Sequence, residues 1–451
     1  VMSHQIVTSA LPNLPDSLSI LSYNILLPNS VDAWWTYKMY SPPLSVENRE
    51  ISSWTHRRNL LQDRIGQINA DVVCLQELSP ESFEDDFSFM ADLGYDECEL
   101  FRKGRFRPAT FWKGSKCTLV TPAAHKDRTL LTAFRCKVDD QEVDDKSPIW
   151  FVLNCHLQAG REGQRRVRQV IEGTKAIVTM AKKLNVPNPT SQALVIICGD
   201  FNGGSECGAV RLLEDGTLDT NFREDGEQIV MKTKQLAFVP PLLDAMTFLD
   251  RTPPPTMVVT ELISQLVQDG NNGYEDPKLS SMVRDRLRRI FYARASLRDQ
   301  EKVIMSRKDV EEWLIQINGS IGRGDEFREA ARQMGWQPSL QNDVIVSKDE
   351  KQQITLPTDG VLDLEGFIAV YQNELNRGKF WGISHDLAIL GEPLEDLGLF
   401  AARYDRMYCS ASLQPISILD FPCQKPCPNS EEPSDHLPVT ACFVLKTRKD
   451  T

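Results

Sequence analysis

Cys198-Gly199-Asp200-Phe201-Asn202-Gly203-Gly204 is the stretch on which the reading of this chain turns. It follows Ala193-Leu194-Val195-Ile196-Ile197, an apolar, β-branched run whose length and composition predict a buried strand, and the paired glycines mark where that strand stops. An acid and an amide two residues apart at a strand end point the same way, and glycines beside them leave room for a ligand. That is the chemistry of a cleft mouth. A turn in which Asp200 and Asn202 cap a helix over 205–213 would use the same residues, so the motif decides only in company.

At 451 residues the chain can bury a large core, in one big sandwich or in two or three domains. A formal charge of −12 argues against a general polyanion-coating protein, whose affinity comes from Lys and Arg meeting phosphates, so any nucleic-acid contact must be local. No run of about 18 apolar residues is present to span a bilayer, and the first residues lack the basic-then-apolar arrangement of an intact signal peptide. The sequence opens at Val1, which leaves a removed targeting segment open. Of the 11 cysteines, Cys74, Cys155, Cys198 and Cys442 sit in apolar strand-like runs where a thiol behaves as a small hydrophobe. A reducing intracellular compartment is expected, the cytoplasm, or an organelle if a targeting segment preceded Val1. Cys423 and Cys427 flank Gln-Lys-Pro in a loop and could pair or bind metal, but no second thiol pair stands at zinc spacing.

Working outward from the opening motif, other apolar runs also end in polar groups. Residues 17–27 read as a strand interrupted by Tyr23 and Asn24, and a buried Asn must be bonded to something. Residues 71–78 are apolar until Gln76 and Glu77, and a carboxylate at the end of a buried strand suits a hard cation that wants oxygen donors. Residues 107–112, 129–135 and 148–157 follow, the last ending Asn154-Cys155-His156-Leu157. Arg161, Arg165 and Arg168 then recur at helical spacing beside Arg166, a basic stripe that either faces phosphate or is simply solvated. Trp34, Trp35 and Tyr37 could stack on a base or pack over a sheet edge.

From 256 to 391 the texture changes to amphipathic helices, predicted over 257–267, 282–295, 308–317, 325–334 and 364–375. Strands resume at 402–410 and 415–419, and Ser434-Asp435-His436-Leu437-Pro438 leads into a last one at 439–445. Together with Asp405, this supplies a His that a carboxylate can hold protonated against a phosphate oxygen.

The ordered set Asn24, Leu75-Gln76-Glu77, Asn154-Cys155-His156-Leu157, Gly199-Asp200-Phe201-Asn202, Tyr404-Asp405-Arg406 and Ser434-Asp435-His436-Leu437-Pro438 resembles the endonuclease/exonuclease/phosphatase superfamily. Trp54-Thr55-His56-Arg57-Arg58 is most similar to the carbon-catabolite-repressor-type deadenylase and nocturnin branch. The resemblance spans residues 17–250 and 400–446 and implies an α+β fold: a four-layered α/β/β/α sandwich of two mixed sheets, as in deoxyribonuclease I. The catalytic sandwich is expected from 17–255 and 392–447, with 256–391 inserted as a helical subdomain. By motif match, Glu77 binds Mg²⁺ or Mn²⁺ with Asn24 nearby, and Asp435 supports the metal or its waters. Asp200 orients or deprotonates the attacking water and Asn202 holds it or the phosphate. His156 and His436 contact phosphate oxygens, Asp405 orients His436, and Arg161, Arg165 and Arg168 are candidate substrate contacts. The physical logic agrees, since phosphodiester hydrolysis calls for a Lewis acid, a positioned water and donors for developing charge. Gly203-Gly204-Ser205-Glu206, and Gln158-Ala159-Gly160 after His156, depart from the deadenylase pattern, which bears on adenine specificity and not on the chemistry.

The insertion carries Thr358-Asp359-Gly360-Val361-Leu362-Asp363-Leu364-Glu365-Gly366-Phe367, which resembles the end of an EF-hand loop with a partner hand near 297–313. Gly366 stands where a bidentate Glu belongs, so Ca²⁺ is not expected there. Phe367, Val370 and Tyr371 should instead pack against Val310, Trp313 and Leu314. The function expected is a metal-dependent phosphodiesterase or nuclease acting on single-stranded RNA or a related phosphodiester. Two other classes stay open: a phosphomonoesterase for a nucleotide, inositol or lipid head group, and a scaffold that binds a protein partner through the insertion.

Overall fold

The apolar runs become strands. The computed structural model describes residues 10–446 apart from 13, 15, 32, 138–146, 231–240, 269–276, 300–301 and 338–353. In chain order the strands of the two main sheets are β1 (Ser17–Asn24), β2 (Val72–Leu78), β3 (Glu97–Leu100), β4 (Arg107–Trp112), β5 (Cys117–Leu119), β6 (Ala124–Lys126) and β7 (Thr129–Cys136). They continue with β8 (Ile149–His156), β9 (Leu194–Asp200), β10 (Leu243–Asp244), β11 (Asp405–Cys409), β12 (Leu413–Leu419) and β13 (Val439–Leu445). One sheet has the order β12-β13-β1-β2-β4-β3, the other β10-β11-β9-β8-β7-β5 with β6 also on β7. Both are mixed: β1 runs parallel to β2 and β8 parallel to β9, while the flanking pairs are antiparallel.

A strand exposes alternate residues to opposite faces, and here both faces are apolar because both are covered. Leu18, Ile20, Val72, Cys74, Trp150, Val152, Ile196, Cys198, Met407 and Phe443 form one buried layer between the sheets. The intervening residues face helices. Leu21, Val73 and Leu75 pack with Leu61 and Ile65 of α1 (Trp54–Ile68). Phe151, Leu153, Val195 and Ile197 pack with Val167, Val170 and Ile177 of α2 (Gly163–Lys183) and with Ala209 and Val210 of α3 (Gly208–Asp215). The result is the expected four-layered α/β/β/α sandwich.

The chain divides into two compact units, the second made of Trp34–Ser53 and Thr260–Leu399. Helix does not begin at 257. Met257–Thr260 is a strand paired with Leu399–Ala402, and only Ile263–Leu266 is helical in the predicted 257–267. The β-branched Val258, Val259 and Thr260 prefer the pleated state once a partner strand is supplied from 140 residues away. A short hairpin, Leu297–Asp299 with Lys302–Ile304, adds further strand to the region.

The second unit contains α4 (Ser281–Arg294), α5 (Arg307–Asn318), α6 (Gly324–Gln333), α7 (Leu364–Asn376) and α8 (Phe380–Ile389) around one core. Phe367, Val370 and Tyr371 join Val310, Trp313 and Leu314 in it, with the Trp313 and Phe367 rings 4.9 Å apart and Trp313 Nε1 donating to Tyr371 Oη at 3.2 Å. Met305 and Leu362 exchange backbone hydrogen bonds at 2.9 and 3.0 Å. The segment 34–53 belongs here because Lys38 is buried against Glu326 at 2.7 Å and Asp386 at 3.0 Å, Tyr37 Oη donates to Ile317 O, and His385 bonds both Asp386 and the Leu44 carbonyl at 2.8 Å. Trp35 stacks on Trp381 with centroids 5.1 Å apart.

Glu374 lies in the same cluster with Oε1 unbonded. Burial, and then the Glu326 carboxylate, push it up to about 8. Lys379 stands 3.5 Å away but is already committed to Asp325 at 2.5 Å. Glu374 is therefore neutral in the fold near pH 7, whereas in the unfolded chain it ionises near pH ~4.3. The raised value means that its contribution is intact below that unfolded pKa and is lost as pH rises through about 8. Glu374→Gln, neutral at every pH, should raise the melting temperature relative to wild type more at pH 8.5 than at pH 5. Equal shifts at the two pH values would contradict the assignment.

Candidate active site

The alternation that builds the core also builds a polar cluster at its end. Asn24 continues the inward series of Leu18 and Ile20, Asn154 and His156 that of Trp150 and Val152, and Asp200 that of Ile196 and Cys198, while Asp405 precedes Met407 and Cys409. Register then sets them side by side. Asp200 is the direct cross-strand partner of both His156 and Asp405, and Asn24 is the partner of Gln76. Close approach of β8 and β9 at this point requires Gly199, where a Cβ would lie 1.9 Å from the Cys155 carbonyl oxygen.

Glu77 breaks the alternation. It should face outward with Leu75, but the register with β4 shifts between Leu75 and Leu78 and Glu77 adopts φ 68°, so the bulge re-aims its carboxylate. Its oxygens accept from Asn24 Nδ2 at 3.4 Å and from the Leu27 backbone N–H at 3.1 Å. Asn24 Nδ2 also donates to Asp200 at 3.0 Å, and its Oδ1 accepts from the Leu26 N–H at 3.1 Å. The Asn24 amide is thus turned with its donors toward the acids. Its nitrogen gathers the Glu77 and Asp200 carboxylates.

Asp200 accepts further bonds from the Asn202 backbone at 2.7 Å and from Asn202 Nδ2 at 3.1 Å. His156 donates Nδ1–H to the Phe106 carbonyl at 2.9 Å, which leaves Nε2 facing Glu77 at 3.7 Å and Asp200 at 3.8 Å. His436 Nδ1 bonds Asp405 at 2.7 Å, and its Nε2 stands 3.9 Å from the same Asp200. Burial alone would lower both imidazoles. For His156 it does; for His436 the Asp405, Asp200 and Asp435 carboxylates outweigh it and hold the ring well above its ordinary value. Burial raises Asp200 and Asp435.

Four carboxylates, Glu77, Asp200, Asp405 and Asp435, converge on two imidazoles. Asp405 Oδ1 is buried without a hydrogen-bond partner, and Glu77 adds to the repulsion that raises Asp435. A surplus of buried negative oxygen fits a divalent cation. Among the described residues, ligand atoms of Asp200, Asp405 and His436 lie within 4.8 Å of one another. Asp405 and His436 are spoken for by their mutual bond, whereas Glu77 is half-buried at the open side, where a hard cation can keep waters.

The arginine stripe is not free. Arg165 bonds Asp127 at 3.2 and 3.3 Å, Arg168 lies 3.5 Å from the same carboxylate, and Arg161 donates to the Asp225 carbonyl at 2.8 Å. Arg166 is buried against Glu224.

Several supporting residues had a weaker trace in the sequence. Gln76 Nε2 donates to Asn154 Oδ1 at 2.8 Å, and Asn154 Nδ2 donates to the Leu75 and Ala109 carbonyls at 3.1 and 2.8 Å, so the two sheets are clipped together under the cluster. Arg57, fully buried, donates to the Ile25, Leu26, Leu27 and Pro433 carbonyls and fixes the loops beside Asn24 and Ser434. Ser434 Oγ donates to Asn24 O at 2.7 Å, and Thr256 Oγ1 accepts from the Asp405 backbone at 2.9 Å. Gln76, Asn154, Arg57 and Ser434 stand inside the motifs that carry the resemblance; Thr256 has no such signal.

Residues 21–436 match the Endonuclease/Exonuclease/phosphatase family, and the chain belongs to it. It is 26% identical over 272 residues to the CCR4-Not complex 3'-5'-exoribonuclease subunit Ccr4 of Schizosaccharomyces pombe, across 48% of this chain and 38% of that one. It is 25% identical over 222 residues to Protein angel homolog 2 of Danio rerio, across 46% of this chain and 36% of that one. The chain therefore spans well under half the length of these relatives. Among solved structures it is similar to ANGEL2, described as a 2',3'-cyclic phosphatase, in complex with adenosine-2',3'-vanadate, at 16% identity and a TM-score of 0.51 over 96% of both chains. That likeness supports the sandwich fold. The EF-hand reading of the helical unit gains nothing from these likenesses. No helix of the described residues is long and apolar enough to cross a membrane.

Removing the clip should be costly. Asn154→Ala removes the side-chain donor to the buried Leu75 and Ala109 carbonyls and one of the three acceptors around Gln76 Nε2, and a buried group left unpaired costs roughly 1–3 kcal/mol. A loss of several kcal/mol in denaturant unfolding is expected, and a loss below about 1 kcal/mol would remove the clip from the account.

Proposed function

We propose that the chain is a divalent-metal-dependent phosphohydrolase, a phosphodiesterase acting on RNA or a closely related phosphodiester. The observation that carries this is Asp200 Oδ2, buried and raised, facing the Nε2 atoms of both His156 and His436 at 3.8 and 3.9 Å. A raised, buried carboxylate is poised to accept a proton. In this reading Asp200 takes the proton of the attacking water as its oxygen bonds phosphorus and the leaving ester oxygen departs. Asn202 holds the Asp200 carboxylate in place. His436, kept cationic by Asp405, donates from Nε2 to the phosphate oxygens as charge builds on them, while His156, whose Nδ1–H is held by the Phe106 carbonyl, lines the site with its Nε2. Mg²⁺ or Mn²⁺, held by Glu77 and Asp435, would supply Lewis-acid polarisation of a non-bridging oxygen.

The likeness to the Ccr4 exoribonuclease subunit supports RNA as the substrate class. The net charge of −12 favours the second reading, a phosphomonoesterase for a small metabolite, since such a substrate needs no extended basic groove. The catalytic unit is read as 17–255 with 392–447, less Trp34–Ser53 and the residues up to Leu399, which pack in the second unit. We read the helical unit as a degenerate EF-hand pair that offers a protein-binding face. Its Asp309 already accepts from the Ser296 and Ser306 backbones and Asp363 from Gly366, so neither is a free calcium ligand.

Purified protein assayed with Mg²⁺ against oligo(A), mixed RNA, single- and double-stranded DNA and a phosphomonoester panel separates the two readings. RNA hydrolysis abolished by chelator, and cut on the order of 10²-fold or more by Asp200→Asn and by His436→Ala, is the expected result. Hydrolysis that survives both chelator and Asp200→Asn would overturn the proposal.

A further inference from the structure

Two arginines of the sandwich stand outside the stripe on α2. Phe106 and Arg128 are non-glycine residues in the left-handed region, at φ 57° and 58°. Backbone of this kind persists only where the surroundings enforce it. Here the carbonyl of Phe106 accepts from His156 Nδ1 at 2.9 Å and the carbonyl of Arg128 accepts from the His156 backbone N–H at 3.0 Å. Two loops are thereby pinned to one histidine, and each brings an arginine: Arg128 itself, and Arg107, which follows Phe106 and pairs across the sheet with Leu78, the residue after Glu77.

Neither guanidinium has a hydrogen-bond or ion-pair partner among the described residues, and Arg107 Nε is buried without one. Arg107 is held by packing instead. It lies over the Phe101 ring, 5.0 Å from its centroid, and against Gly104, where a Cβ would come within 2.8 Å of Nη2. The nearby carboxylate, Asp127, is already shared by Arg165, Arg168 and Gln169. Burial lowers both arginines, and Arg128 is lowered further by the charges of Arg107 and Arg165, yet a guanidinium stays charged throughout the working pH range. Desolvated like charges with no carboxylate in contact, only Asp127 and Glu77 at a distance, cost free energy that an anion would offset.

We propose that Arg107 and Arg128 form a second anion site beside His156, which takes a phosphate of the substrate other than the one attacked. The attacked phosphate belongs on the Nε2 side of His156, toward Asp200 and Glu77, whereas the loops carrying the two arginines bind the ring's Nδ1 and its backbone. The ligand is a phosphate linked to the scissile one by the substrate itself, either the neighbouring phosphodiester of a strand or a terminal phosphomonoester. This deepens the phosphodiesterase reading and rests on it.

The test compares kcat/KM of the full chain for a dinucleoside monophosphate, the same dinucleotide with a 5'-phosphate, one with a 3'-phosphate, and the trinucleotide. In parallel, inorganic pyrophosphate is titrated calorimetrically in the presence of chelator. Wild type should prefer at least one doubly charged substrate over the dinucleoside monophosphate, and which arm wins identifies the source of the second phosphate. In Arg107→Ala/Arg128→Ala that preference should fall roughly tenfold or more, the scale of losing charge-assisted bonds to phosphate, mostly through KM. Pyrophosphate binding should weaken in step, and Arg107→Lys/Arg128→Lys, which keeps the charge and guards against misfolding, should keep part of both. An unchanged preference and unchanged pyrophosphate affinity in the alanine variant, with wild-type melting behaviour, would overturn the site. A chain that hydrolyses none of the substrates yet binds pyrophosphate through these arginines would overturn the phosphodiesterase reading and leave the anion site standing.

Discussion

A single amide pair, Gln76 with Asn154, holds the two sheets together where their shared layer changes from apolar to polar. Toward the middle of the sandwich, inward residues are Val72, Cys74, Trp150 and Val152; one step past them the inward positions carry amides, and two steps past them a histidine and an aspartate. Buried amides are tolerable only if well bonded: Asn154 bonds Gln76 and two carbonyls of the facing sheet, and Gln76 Nε2 bonds Asn154, Ser22 Oγ and the Cys74 carbonyl of its own strand. The clip fixes the separation of the sheets, and with it the distance between Glu77 on one sheet and His156, Asp200 and Asp405 on the other. Every polar contact in the cluster inherits its geometry from that constraint.

The electrostatics follow the same logic. Asp200 is the hub: Asn24, Asn202, His156 and His436 all aim at its oxygens, and burial makes it reluctant to hold its charge. Two histidines of similar burial then diverge because their partners differ. His156 rests on a carbonyl and stands near Arg128, and its proton affinity falls; His436 rests on a carboxylate, and its proton affinity rises.

Much of this was legible in the residues because a strand has period two. Asn24, His156 and Asp200 each continue an apolar inward series, so their convergence could be expected once the strands were recognised. Glu77 could be named as a strand-end acid but not aimed, because a bulge and a positive φ turn it. Asn24 could be placed beside Glu77, but which groups its amide meets, the Glu77 and Asp200 carboxylates, is set by the pairing of the strands. Arg165 and Arg168 share Asp127, a carboxylate about forty residues earlier in the chain that no local pattern links to the stripe. Lys38 ties 34–53 into the helical unit through Glu326, a partner separated from it by 288 positions, and the predicted helix at 257–267 yields to pairing with Leu399–Ala402. The arginine pairing, the Lys38 tie and the 257–267 strand are long-range contacts overriding a local pattern.

The central claim is that the strand-end carboxylates form a divalent-metal site on the Glu77 side of the cluster, with Asp405 and His436 reserved for each other. Anomalous diffraction from crystals grown with Mn²⁺, collected at the manganese edge, addresses it directly. The account predicts a peak bounded by Glu77 and Asp435 with the Asp405–His436 bond intact. A peak between Asp405 and His436 that displaces their bond, or no peak within the cluster at saturating Mn²⁺, would contradict it.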